Sequence, residues 1–375
     1  MGKHHRTPPQ QRATGLNVLA VGKLPAARGA FLALLAAVLF GASTPLVQRA
    51  GVNVGGWMTA ALLYAGAAVA GLLLRVHSSR EAAVRRQHWP RLALMALSGA
   101  VVGPAALAWG LQHTTGTSAS LMLTLEAVFT VLLSFLLYRE QIDRRVGLAI
   151  VLLTLGGAGL VFDRAGNGVT QVVGLLAVTC ATVAWGLDNA LSRGVADLDP
   201  GHVVLWKASM GAACSLLLAA VTGQASLSWT AALSLFLIGG VGYGLSLRFY
   251  LLAQRAFGAA RTGSVFAAAP FIGATLAFGL GERGFSLWLV GAAALMVAGI
   301  ILHLAEQHGH AHQHEMLEHE HAHTHDDGHH HHTHDAPAIG AHSHPHVHEP
   351  TRHTHPHTPD QHHTHTHLGN DRDVS

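Results

Sequence analysis

The chain has 375 residues, of which 50% are hydrophobic and 11% charged, with 42 glycines, a balance that excludes a soluble globular domain and points to a polytopic helical membrane protein. The formal net charge of +3 conceals two populations: residues 1–307 hold 21 Lys+Arg against 10 Asp+Glu, whereas residues 308–375 hold 2 against 10, with 24 of the 31 histidines. A basic body of this hydropathy speaks of membrane orientation and not of nucleic acid.

Residues 1–29 carry Lys3, Arg6 and Arg12 around a short apolar patch broken by Lys23, which reads as a cytoplasmic lead-in rather than a cleaved signal. From there, windows of about 20 apolar residues predict ten spanning helices, near 30–50, 54–74, 92–111, 116–138, 146–162, 172–192, 203–222, 230–252, 258–280 and 284–304. The basic residues test that count. With the N-terminus inside, the inner segments hold Lys23 and Arg28, then Arg75, Arg80, Arg85, Arg86 and Arg91, then Arg139, Arg144 and Arg145, then Arg193 and Lys207, then Arg248, Arg255 and Arg261. The outer loops keep Arg49, Arg164 and Arg283, so the bias fits ten spans with both termini in the cytoplasm. Cys180 and Cys214 fall inside apolar spans and read as packing residues, with no CxxC metal site.

Ten spans divide into two halves of five, at 30–162 and 172–304, and the halves echo each other. AVLFGASTPL at 37–46 parallels TVAWGLDNAL at 182–191, GLQHTTGTSASLML at 110–123 parallels LAQRAFGAARTGSVF at 252–266, and LLYRE at 136–140 parallels FGLGE at 278–282. An odd number of helices per half places the halves inverted in the membrane.

The aromatic-Gly pairs Phe40-Gly41 and Trp185-Gly186, the run LTLEAVFTVLLSFLLYRE, its counterpart AAPFIGATLAFGLGE and the small-residue run GGAGLV at 156–161 together resemble the EamA-type repeat of the drug/metabolite transporter superfamily. The likeness covers roughly residues 30–304 and departs at Ala127, where the family often has proline. It implies an all-α fold of ten transmembrane helices as two inverted five-helix repeats. It also implies secondary transport of a small solute by alternating access, with the lipid bilayer and that solute as partners and no enzyme activity.

Glu126 lies near the middle of a span of about 33 Å, where a carboxylate weighs about 2.5–3.5 kcal/mol against insertion and so belongs in a protein interior or wet cavity. There it can exchange a proton or a cationic solute; the plainer reading is a helix–helix hydrogen bond. Asp188 and Asn189 follow Trp185-Gly186, and Ser43 and Thr44 occupy the matching places in the first half, so the four would form a polar ring between the repeats. Trp109 and Tyr250, at comparable places in the third and eighth helices, are candidate cavity walls, and Arg248 is either a snorkelling residue or a counter-ion to Glu126 or Asp188. Pro45, Pro104 and Pro270 are expected to interrupt helices, and GGVGYG at 239–244 to allow close helix approach, not to bind a dinucleotide, whose spacing it lacks.

Residues 305–375 form a tail of His-x-His units with interspersed acids and few apolar residues, expected to be disordered. Its candidate metal ligands are His308, His310, His312, His314, His319, His321, His323, His325, His329, His330, His331 and His332, then His334, His342, His344, His346, His348, His353, His355, His357, His362, His363, His365 and His367. Neutral imidazole ligates Zn, Ni, Cu(II) and Co, so the tail is expected to bind divalent transition metals at several modest sites, although no cofactor is required. HEMLEH at 314–319 misses the HExxH zinc-protease pattern by one residue. Three functions follow: a proton-coupled exporter of a divalent metal such as nickel or cobalt, an exporter of an organic metabolite or drug with the tail as metal buffer, or a membrane-anchored metal store or sensor.

Overall fold

A computed structural model describes residues 23–74, 84–138, 142, 144–195, 198–224, 227–257, 259–284, 286–304, 309–313, 317–323, 342–348 and 352–356. Among these, eight helical stretches are long and apolar enough to cross a membrane: Ala27–Ala50, Gly56–Leu73, Arg86–Leu111, Gly116–Tyr138, Arg144–Ala165, Val169–Ser192, Pro200–Val221 and Trp229–Ala253, here the first to eighth spans. Phe31, Leu136, Leu176, Leu217 and Val241 are exposed on them, an apolar outer surface suited to lipid.

Ten long spans were expected, and the last two apolar stretches are shorter. The ninth is divided into Ala259–Phe266 and Ala269–Gly279, and the final helix runs Leu287–Leu304. Pro270 sits in the first turn of Ala269–Gly279, where a missing N–H is tolerated, so the helix restarts there and does not run through. Pro104 likewise opens Gly103–Leu111, whereas Pro45, also expected to interrupt its helix, lies inside the unbroken Lys23–Ala50.

The packing repeats itself between the halves. The second span lies against the seventh, and the fifth against Leu287–Leu304. The end of the third span packs on the sixth, as the end of the eighth packs on the first; Leu125–Tyr138 packs on the sixth, as Ala269–Gly279 packs on the first. Glycines make these crossings possible. A Cβ on Gly41 would meet the Ala269 carbonyl oxygen at 2.3 Å, and one on Gly186 would meet the Phe129 Cβ at 2.8 Å, so the glycine of each aromatic-Gly pair lets a helix of the opposite half come close.

The closest crossing joins the second and eighth spans. A Cβ on Gly66 would lie 1.9 Å from the Phe236 carbonyl oxygen, and one on Gly239 would lie 2.0 Å from that of Leu63. Because the obstacle is backbone on both sides, Gly66→Val is expected to exceed the usual overpacking penalty of about 1–3 kcal/mol. Melting of the purified variant in detergent checks this against Gly291→Ala, where nothing lies within 4 Å of the added carbon and no change is expected.

The connections after the first, third, fifth and seventh spans and after Ala269–Gly279 meet at one end of the bundle. Glu282 accepts hydrogen bonds from the backbone N–H groups of Gly116 and Thr117 at 2.7 and 2.8 Å and from the Thr117 hydroxyl at 2.7 Å. Gln48 donates to the carbonyls of Leu111 and Thr114, Arg49 to that of Leu280, and the Trp57 N–H to Gln224. Arg164, expected in an outer loop, is buried at the end of Arg144–Ala165, donating to the Ser118 hydroxyl at 2.9 Å and pairing with Asp163 at 3.2 Å. At the other end Arg248 donates to the Leu74 carbonyl at 2.6 Å and Tyr138 to that of Ala190 at 3.1 Å.

In the tail, where disorder was expected, four strands form two antiparallel ladders: β1 (Gly309–Gln313) with β4 (Arg352–Pro356), and β2 (Leu317–His323) with β3 (His342–His348). A repeat of His every second residue has the period of a strand, which lets the backbone pair without an apolar core beneath it. The register sets His310 opposite His355, His312 opposite His353, His319 opposite His346, His321 opposite His344 and His323 opposite His342. His308, His314, His325, His329, His330, His331, His332, His334, His357, His362, His363, His365 and His367 lie outside the described residues, as do the lead-in to residue 22 and Arg75, Arg80 and Arg139.

Candidate functional site

The fourth span breaks just before its acid. Gly116–Met122 ends in a turn at Leu123 and Thr124, where the Thr124 hydroxyl bonds the Leu121 carbonyl at 2.9 Å, and Leu125–Tyr138 begins afresh with Glu126 in its first turn. Side-chain competition for that carbonyl favours the break, and the new helix presents its positive end to the carboxylate. Straight periodicity predicts a continuous helix here.

Glu126 opens onto a cavity of about 120 Å³ within the bundle. Asn189 in the sixth span donates from Nδ2 to Glu126 Oε1 at 2.6 Å, linking the two halves. Next to it Asp188 is buried, and its Oδ2 accepts from Nζ of Lys207 in the seventh span. Lys207 was expected at an inner boundary. The seventh helix starts at Pro200, capped by Asp199, so Lys207 lies two turns inside it, only 7% exposed. The sequence signal was a single cation within an apolar run.

One π-helical turn lines this cavity and the other holds two of its rings from behind. The turn Ala96–Val102 leaves the Gly99 carbonyl outside the regular ladder, and the Tyr64 hydroxyl and the Trp185 indole donate to it at 2.6 and 2.9 Å. The turn Gly239–Leu245 carries Tyr243. Phe40 contacts the rings of Trp185, Tyr243 and Phe266 at centroid distances of 6.0, 5.6 and 5.5 Å, Tyr64 meets Tyr243 at 5.6 Å, and Tyr250 meets Phe266 at 4.9 Å. Six rings thus line one wall continuously. Of these, only Tyr250 was expected as a wall.

Glu126, Asp188, Asn189 and Tyr250 therefore come together, and the other expected members do not. Ser43 and Thr44 are buried but outside the cavity lining; the Ser43 hydroxyl bonds the Phe40 carbonyl at 2.6 Å and its Cβ faces Gly242. The four-membered polar ring is replaced by Glu126, Asp188, Asn189 and Lys207. Trp109 is 42% exposed and stacks on His113 away from the cavity, and Arg248 caps the second span, so it is no counter-ion to either acid. Among the described residues no group of three or more His, Cys, Asp or Glu could hold a metal ion.

The model of the EamA-like transporter family matches this chain twice, over residues 27–162 and 172–305. An uncharacterized transporter of Methanothermobacter thermautotrophicus is 28% identical over 232 residues, which span 59% of this chain and 66% of that relative, just under two thirds of its length. A solved crystal structure superposes with a TM-score of 0.53 at 20% identity, covering 73% of this chain and 94% of the other, a likeness of fold alone.

Proposed function

This chain belongs to the EamA-like transporter family, and from that premise we propose that it exports a small solute across the cytoplasmic membrane by alternating access, in exchange for protons taken up at Glu126. The observation that carries this is the meeting of Glu126 and Asp188, from different halves of the chain, in one cavity inside the bundle. An acid buried in a membrane interior is retained for use, and a carboxylate between two family-matching halves is placed to be reached from either side in turn. Proteoliposomes with an imposed pH gradient test it: solute uptake into acid-loaded vesicles is expected, and uptake indifferent to the gradient overturns the proton exchange.

Ten spans with both termini in the cytoplasm, arranged as inverted repeats at 30–162 and 172–304, accompany this reading. The recurring helix pairs and the basic residues on alternate connections support it. Reporter fusions after Leu74, Phe162 and the last helix are expected to report inside, outside and inside; an outside C-terminus overturns the arrangement.

The cavity favours an organic solute over nickel or cobalt. Its lining offers one carboxylate already bonded by an amide, one already paired with an ammonium, and six aromatic rings, with neither histidine nor cysteine among them. Such metals prefer imidazole and thiolate. The tail then acts as a metal buffer or regulator, supported by its 24 histidines in His-x-His units. Deleting residues 308–375 is expected to leave organic export intact while removing binding of Zn, Ni and Co to the purified protein, binding that in the full chain weakens as pH falls through about 6.5 and free imidazoles take up protons. Metal efflux by the truncated protein in vesicles returns the solute to the metals.

A further inference from the structure

Two buried polar atoms on residues of the cavity lining, Asp188 Oδ1 and the Tyr243 hydroxyl, have no hydrogen bond among the described residues. Asp188 Oδ2 is held by Lys207, but Asp188 Oδ1 is buried without a hydrogen bond among the described residues. The side chain is 8% exposed and belongs to the cavity lining. A desolvated carboxylate oxygen normally has a donor, and one without a donor on a residue of the cavity wall is a place for a donor that arrives from outside.

We propose that this cavity recognises its solute by a positively charged amino group, which donates to Asp188 Oδ1 while the solute's hydrocarbon part packs on the aromatic wall. The inference rests on the transport reading above and names its substrate class. Three features select an ammonium. Charge is the first: with Glu126, Asp188 and Lys207 ionised, the lining carries one net negative charge, so a single positive charge neutralises it and an anion adds to the imbalance. Next is the wall, whose rings at Phe40, Tyr64, Trp185, Tyr243, Tyr250 and Phe266 offer π faces to a cation and apolar surface to a carbon skeleton. The last is Lys207, which occupies Oδ2 with the same chemistry the solute brings to Oδ1. An ammonium at Asp188 and a proton on Glu126 each neutralise the single net negative charge of the lining, so each disfavours the other, as exchange requires.

The test is equilibrium binding to the purified full-length protein in detergent, by calorimetry, of three matched probes: 2-phenylethylamine, 2-phenylethanol and 3-phenylpropionate. The amine is expected to bind at least about tenfold more tightly than the alcohol, and the carboxylate more weakly than either. Asp188→Asn is expected to bring the amine down to the alcohol's affinity. Because that variant strands Lys207 and can fail to fold, Asp188→Asn/Lys207→Met, which leaves no lone charge, carries the same expectation. Lys207→Met alone should retain the preference for the amine, since the ligand then supplies the only cation on Asp188. Equal binding of the three probes, preference for the carboxylate, or an amine preference that survives in the double variant overturns the proposal. Counterflow in proteoliposomes separates the two readings. An amine that binds but is never exchanged across the membrane defeats transport and leaves recognition standing. Exchange of another solute by a protein that ignores the amine does the reverse.

Discussion

Glu126→Gln is expected to reduce pH-driven transport to the level of empty vesicles while the protein still inserts and folds. Glutamine keeps the length of the side chain, and its amide oxygen can accept the 2.6 Å bond from Asn189, so the contact between the fourth and sixth spans survives. What it lacks is a site for a proton. Replacing a buried charge by a neutral isostere also removes a desolvation penalty, so melting is expected to rise or stay level. Solute counterflow, which moves no net proton, is expected to persist in the variant, and that pairing of a lost gradient response with a retained exchange is the signature of a coupling residue. Wild-type rates with an unchanged pH profile would make Glu126 a structural link between helices.

The two acids were legible because a carboxylate in an apolar run stands out one residue at a time. Their pairings were not: Asn189 was named without being joined to Glu126, and Lys207 was not named as a site residue at all, because a contact between two spans leaves no trace at either position. Lys207 shows the limit: four residues inside a span drawn from 203, it has the look of a boundary residue until Pro200 and its Asp199 cap set the start of the helix. Trp109 shows another. The sequence pairs it with Tyr250, but superposing the two π turns, 96–102 on 239–245, pairs Tyr250 with Leu107. An error of two residues is about 200° around a helix, enough to move a side chain to the opposite face. Leu107 is indeed buried and Trp109 exposed. Close approach was easier to foresee than facing, because the small residues of GGVGYG permit contact whatever their rotation.

Breaking the Asp188–Lys207 pair from one side is expected to cost about 3–5 kcal/mol, and removing it from both sides close to nothing. The asymmetry follows from burial. Both side chains are less than 10% exposed, so Asp188→Asn leaves an ammonium, and Lys207→Met a carboxylate, without its counter-charge and out of reach of water. In Asp188→Asn/Lys207→Met no charge is stranded, and the introduced thioether side chain fills the volume of the lysine stem. Melting of the four proteins in one detergent measures the cycle, with a coupling between the sites of several kcal/mol expected. Single losses that simply add would show that water reaches the pair and that the charges are not coupled. The double variant is also expected to be inactive in exchange of an amine while remaining folded, since the negative charge that holds the ammonium is gone. Stability regained without activity places the pair in recognition of the solute and not in support of the fold.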